Sequence, residues 1–224
     1  MDRSFRGPSK KFSVHLLMNK HLKYNNIKKQ FLNSWANPEN GEPRVERIYW
    51  IVLNQEIHSS YLKAKESGGG KVLRRFHGTS QNINCMFGTD PSKAPCDGRD
   101  CNVCSICKTS FKLSRAASGG GRRMNLRYGE GLYFSPVSSK SHDYNTGSER
   151  VYAGGRKWRA MFLCNVVAGR SFVTKEGFLD PALCPPRGYD SVVGEVGVAL
   201  NYPEVVVYDE VRAIPSFLIV YSTK

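Results

Sequence analysis

Long hydrophobic runs are missing from this sequence: the longest apolar stretch, residues 48–53, is far too short to cross a bilayer. The opening residues likewise hold nothing that could serve as the apolar core of a signal peptide. Both absences predict a protein without membrane association, intracellular and either nuclear or cytoplasmic. Acidic residues are scarce where basic ones are dense. Before residue 30, Arg3, Arg6, Lys10, Lys11, Lys20, Lys23, Lys28 and Lys29 face only Asp2, and Lys112, Arg115, Arg122, Arg123 and Arg127 run on with no acid until Glu130. The formal net charge of +14 favours polyanionic partners (nucleic acid, acidic protein tails or a dinucleotide pyrophosphate) and is equally compatible with plain solvated faces.

Internal repeats are absent, and the Gly129-x-Gly131 pair is too short for a dinucleotide fingerprint. What remains, 224 residues with 40% hydrophobic content, suits one domain with one sizeable core, spanning 1–224. Apolar residues at helical spacing over 12–32 predict a basic N-terminal helical segment within 1–44. Residues 45–53, rich in β-branched and aromatic side chains, fit a strand or a buried helix. Residues 55–67 read as a helix stopped by Gly68, Gly69 and Gly70, which, like Gly119, Gly120 and Gly121, look like a flexible loop. Strand-like runs follow at 71–76, 131–134, 160–167, 204–208 and 216–221. Helices early and strands late predict an α+β fold with a mainly antiparallel sheet.

Seven cysteines are an odd number for a disulfide scaffold, and Cys96, Cys101, Cys104 and Cys107 crowd one short stretch. The pattern Cys85-x10-Cys96-x4-Cys101-x2-Cys104-x2-Cys107 offers thiolates at turn-compatible spacing for a tetrahedral structural zinc. Cys85, Cys96, Cys101 and Cys104 are the expected ligands of this insertion, 85–107. Cys107 is the first substitute, because 106–111 reads as the start of a regular element that would pack its thiol. Reduced cysteines in an irregular loop are the plainer alternative.

Three further segments carry polar chemistry. Phe76-His77-Gly78-Thr79 puts a histidine and a bare backbone at a strand end. Gly131-Leu132-Tyr133-Phe134-Ser135 leads to Ser139-Lys140-Ser141 and Tyr144, where two tyrosine rings could flank a flat heteroaromatic group. Tyr202-Pro203-Glu204-Val205-Val206-Val207 opens an apolar strand with a carboxylate at the sheet rim. Each alone fits a core or capping role just as well.

Taken in order, these segments, with Val45-Glu46-Arg47-Ile48 before them and Pro186-Arg187-Gly188-Tyr189-Asp190 between the second and third, resemble the catalytic domain of poly(ADP-ribose) polymerase-type ADP-ribosyltransferases. The resemblance covers essentially the whole chain. It implies a split, mainly antiparallel β-sheet, NAD as substrate and a macromolecular acceptor, protein or nucleic acid. By that resemblance His77 holds the adenosine ribose, Gly78 and Ser141 bind the nicotinamide amide, and Tyr133 and Tyr144 sandwich its ring. Glu204 binds the nicotinamide ribose and stabilises the oxocarbenium-like transition state, with Lys140 beside it; the catalytic set is His77, Tyr133 and Glu204. Some members of that family carry a small zinc site in this domain. Transfer of single ADP-ribose units is the expectation. A catalytically silent NAD, ADP-ribose or nucleic-acid binding module, and an NAD glycohydrolase, are the competing readings.

Overall fold

Strands that are apolar on both sides can be covered on both faces, and two long strands near the C-terminus are of that kind. The structure, a computed structural model, describes residues 11–116, 126–145, 150, 151 and 155–224. In it β6 (Lys157–Val166) and β10 (Ala213–Thr223) pair antiparallel at the centre of a six-stranded sheet. Outside them lie β2 (Arg44–Val52), β1 (Ser13–Leu16) and, on the other side, β3 (Leu73–Gly78), giving the order β1-β2-β10-β6-β3, with the short β5 (Arg150–Val151) also on β6. A second sheet of four strands has the order β4 (Leu132–Phe134), β9 (Glu204–Val207), β8 (Ser191–Gly194), β7 (Ser171–Thr174). Every pairing in both sheets is antiparallel except β7 with β8. The fold is α+β, as the segregation of helices and strands predicts.

Side-chain alternation divides the interior into two layers around the larger sheet. Met161, Leu163, Ile219 and Tyr221 turn to one face, where α1 (Leu22–Asn33) lays down Tyr24, Ile27 and Phe31. Phe31 is fully buried against Phe76, Trp35 and Tyr221, which stabilises this layer by roughly 1.5–3 kcal/mol. Ala160, Phe162, Cys164, Leu218 and Val220 turn to the other face, and meet Leu132, Phe134, Val205 and Val207 of the second sheet. The 85–107 insertion also contributes to this layer through Phe87, Val103 and Cys107.

Local signals set the helices. α2 (Gln55–Ser67) starts where Asn54 accepts a hydrogen bond from the Ile57 N–H at 2.9 Å. It ends in a Schellman closure: the N–H of Gly70 reaches the Lys65 carbonyl (2.8 Å) and that of Gly69 the Glu66 carbonyl (3.3 Å), with φ 77° at Gly69. The first glycine triplet is therefore a bonded helix cap rather than a flexible loop; the second lies outside the described residues. The expected helix over 12–32 is also corrected. Residues Ser13–Leu16 pair with β2 as an edge strand, the chain turns at 17–21, and α1 begins only at Leu22. Apolar residues of a short strand and of the helix after it together imitated one helical period.

Two contacts place the second sheet against the first. Phe76 and Ser135 exchange backbone hydrogen bonds of 2.7 and 3.0 Å, joining the edge strands β3 and β4. Beside this bridge lies α4 (Ser138–Asp143), tied to the end of α1 because Ser138 donates to the Phe31 carbonyl at 2.8 Å, and Ser139 accepts from the N–H groups of Ala36 and Asn37, both at 3.1 Å. The α4 backbone passes so close to Gly78 that a Cβ there would collide with the carbonyl of Ser141. Gly78→Ala is expected to lower stability by about 2 kcal/mol or more, seen as a lower urea midpoint with an unchanged slope; an unchanged midpoint would show that α4 yields without cost.

Candidate functional site

Where β3, β4, β9 and α4 converge, register decides which side chains face one another. β4 and β9 pair Tyr133 with Val206 and Phe134 with Val205, so Glu204, two residues from Val206, emerges on the same face as Tyr133. His77 comes from β3 across the bridge, and Lys140, Ser141 and Tyr144 come from α4 and the residue that ends it. All seven residues named from the sequence, His77, Gly78, Tyr133, Lys140, Ser141, Tyr144 and Glu204, line one cleft together with Phe134 and Ser135.

Each group is held in a defined state. The Nδ1–H of His77 donates to the Tyr133 carbonyl at 2.9 Å, which leaves Nε2 as the acceptor edge. Burial lowers the pKa of His77 from its ordinary value, an effect that the carbonyl bond opposes only in part, so the ring is neutral at physiological pH. Tyr133 donates its hydroxyl to the Gly129 carbonyl (2.8 Å) and accepts from the Tyr128 N–H (3.0 Å), which pins the ring at its far end. Burial pushes its pKa well up and keeps it a donor. Tyr144, by contrast, is 48% exposed.

Glu204 is 4% exposed, and its Oε2 lies 2.8 Å from the Lys140 Nζ. The other oxygen, Oε1, is buried and has no hydrogen-bond partner. A buried carboxylate oxygen left unpaired in a cleft wall is a costly arrangement that a hydroxyl-bearing ligand would relieve. Chemically, the cleft offers a neutral imidazole acceptor, an aromatic wall, a backbone at close approach and a carboxylate poised to meet positive charge.

The insertion forms a second centre. The Sγ atoms of Cys85, Cys96, Cys101 and Cys104 all lie within 4.8 Å of one another, and these four cysteines could bind a metal ion. A tetrahedral zinc–thiolate site has sulfur separations of roughly 3.8 Å, while the Cys85–Cys104 separation of 3.4 Å is far longer than a disulfide. Hydrogen bonds from Cys101 and Cys104 draw the Cys85 thiol well below its ordinary pKa, while bonds with Cys101 and Cys85, then burial, push Cys104 far up. Sulfurs this close cannot all be anionic unless a cation sits among them. Cys107 stands apart as a fully buried thiol in α3 (Asn102–Thr109), its pKa raised chiefly by burial. Cys164 is likewise buried in the main core.

The basic stretches are partly accounted for. Lys20, Lys28 and Lys29 are exposed around α1, Lys23 lies 3.7 Å over the Trp50 ring, and Lys112 pairs with Glu210 at 2.9 Å. Arg3, Arg6, Lys10, Arg122 and Arg123 lie outside the described residues. Among the described residues no helix is long and apolar enough to cross a membrane. Three contributors were not named as site residues from the sequence. Phe111 packs on His77, and Ser138 with Ser139 fastens α4; the serines belonged to a polar run that also read as a helix cap, and Phe111 only ended the cysteine-rich stretch. No protein-family model matches the chain.

Removing one partner of the buried Lys140–Glu204 pair strands the other. Lys140→Met is expected to destabilise the protein by about 3 kcal/mol or more, and Lys140→Met combined with Glu204→Gln to recover most of that loss. Urea unfolding of both variants at neutral pH measures it.

Proposed function

We propose that the protein is an NAD-dependent ADP-ribosyltransferase of the poly(ADP-ribose) polymerase type, with the split-sheet fold of that family, transferring single ADP-ribose units to a macromolecular acceptor. The observation that carries this reading is the cleft itself: residues from β3, β4, α4 and β9, far apart in sequence, meet around a buried carboxylate with one unpartnered oxygen. On this reading His77 Nε2 accepts from the adenosine ribose. Gly78 and Ser141 hold the nicotinamide amide, and Tyr133 and Tyr144 flank the ring.

Glu204 Oε1 accepts from a hydroxyl of the nicotinamide ribose. As the bond between the ribose C1′ and the nicotinamide nitrogen breaks, its electron pair leaves with nicotinamide, and the carboxylate stabilises the positive charge developing on the sugar. An acceptor oxygen or nitrogen then bonds to C1′ and releases its proton to solvent or to Glu204. Lys140 pairs with Glu204 and orients it. A second opening shares Lys140 and Tyr144 with the cleft and adds Arg127 and Tyr202, and the acceptor, protein or nucleic acid, approaches there.

The metal of the four-cysteine centre is, on the same reading, a structural zinc, held by Cys85, Cys96, Cys101 and Cys104. Four thiolates with no fifth position favour a closed, non-catalytic site. Bound there, zinc would offset part of the negative charge of the clustered thiolates and tie the loop that holds Cys85 and Cys96 to the N-terminal end of α3.

Two measurements test these assignments. Incubation with labelled NAD and separate protein, RNA and DNA acceptors should release nicotinamide and label one acceptor. Glu204→Gln and Tyr133→Ala should each lower the rate by about 10²-fold or more. Variants as active as the parent would place the site elsewhere, release of free ADP-ribose alone would make the protein a glycohydrolase, and binding without turnover a silent module. For the metal, one zinc per chain is expected, with chelation lowering the melting temperature and opening the 85–107 segment to protease. Unchanged proteolysis after verified metal removal would refute the structural role.

A further inference from the structure

The metal centre and the cleft share a helix. Cys101 is the N-cap residue of α3 and Cys104 stands in its first turn, and this end of the helix is fastened to the chain just beyond His77. The Val103 N–H donates to the Ser80 carbonyl at 3.3 Å, and Asn102 Nδ2 donates to the Ser80 hydroxyl at 3.0 Å. At the other end of α3, Ser110 adopts φ 60°, a left-handed conformation uncommon for a residue with a Cβ, and its hydroxyl donates to the Ala213 carbonyl at 3.3 Å. That turn drives the next residue, Phe111, into the interior, where it is 2% exposed.

Phe111 does not line the cleft. Its ring stands edge-on to His77, with centroids 5.0 Å apart and planes at 74°, and edge-on to Phe134 at 5.3 Å and 88°. Phe134 packs on the same imidazole at 5.4 Å. His77 is thus confined by two aromatic rings and one hydrogen bond to the Tyr133 carbonyl. If Phe111 retreats, the imidazole gains room to turn about its bond to Cβ, and the atom facing the ligand is no longer reliably Nε2.

We propose that Phe111 is a positioning residue for His77, and that the four-cysteine centre keeps it in place through α3, so that disturbing the metal site loosens the ribose-binding end of the cleft. The consequence for binding rests on the reading of the cleft as an NAD site. The mechanical coupling between the cysteine centre and the His77 ring does not.

The full chain, zinc-loaded and labelled with ¹⁵N in its histidines, tests both parts, with the His77 signals identified by their absence in His77→Gln. Phe111→Leu is expected to retain its zinc, to move the His77 ring-nitrogen signals from a fixed Nδ1–H tautomer towards an average of the two, and to weaken ADP-ribose binding about tenfold. Its KM for NAD should rise by a similar factor, with kcat within about twofold of the parent. Ser80→Ala, which removes the Asn102 bond and spares the cysteines, and chelation of the parent should move the same signals in the same direction. Should Phe111→Leu fail to fold, these two arms decide the matter. His77 signals that stay put in Phe111→Leu, or after verified zinc removal, overturn the proposal. A parent that binds neither NAD nor ADP-ribose overturns the proposed function instead, and the His77 signals then judge the coupling alone.

Discussion

The pair of backbone hydrogen bonds between Phe76 and Ser135 is the constraint on which the rest of the site depends. β3 and β4 are edge strands of different sheets, and an edge strand presents unpaired N–H and C=O groups that must be matched. Matching them to each other at one point, and no further, lets the sheets diverge on either side of the junction. The divergence opens the cleft, and the junction fixes its width. It brings the Tyr133 carbonyl within reach of the His77 ring, and the register of β4 on β9 then carries Glu204 to the same place.

Several buried polar groups around that junction are answered by a partner, while Asn145 Oδ1, just after α4, is not. Ser138 and Ser139 are fully buried but bonded to the end of α1 and the turn after it. Elsewhere the His142 Nδ1 lies 2.9 Å from the Tyr221 hydroxyl beneath the same helix. Glu204 is answered only in half: one oxygen is paired with Lys140, the other is unpaired. The unpaired Glu204 oxygen, rather than the more conspicuous tyrosines, is the observation on which the proposed function rests.

The cysteine-rich insertion joins this system instead of hanging from it. Phe87 and Val103 of the insertion, and Phe111 just after it, are buried in the layer between the two sheets, and three of the four clustered cysteines, Cys85, Cys101 and Cys104, are buried in the same core. The proposed coupling runs through α3, a short helix with bonds at both ends. Packed aromatic side chains have discrete arrangements, not continuous ones, and the imidazole between Phe111 and Phe134 inherits that property.

Much of this was legible from the sequence where a signal is local. Gly68 marks the end of α2, the apolar runs mark β6, β9 and β10, and the cysteine spacing points to the four sulfurs that come together, whereas 45–53 was open between strand and buried helix until its pairing made it β2. β1, β7 and β8 were not legible. They are no shorter than β4 and β9, which the apolar runs at 131–134 and 204–208 marked, but pairing with a neighbour determines them. By itself, then, the sequence determined which residues could be inside, which elements could form and which atoms could ligate a metal, because those properties repeat over a few residues of chain. Only the tertiary structure decided that His77, Tyr133 and Glu204 face a common space, that Lys140 neutralises the carboxylate, and that Phe111 braces the imidazole. Those contacts depend on the register between strands and on the closure of long loops, and neither is written in the spacing of any one segment.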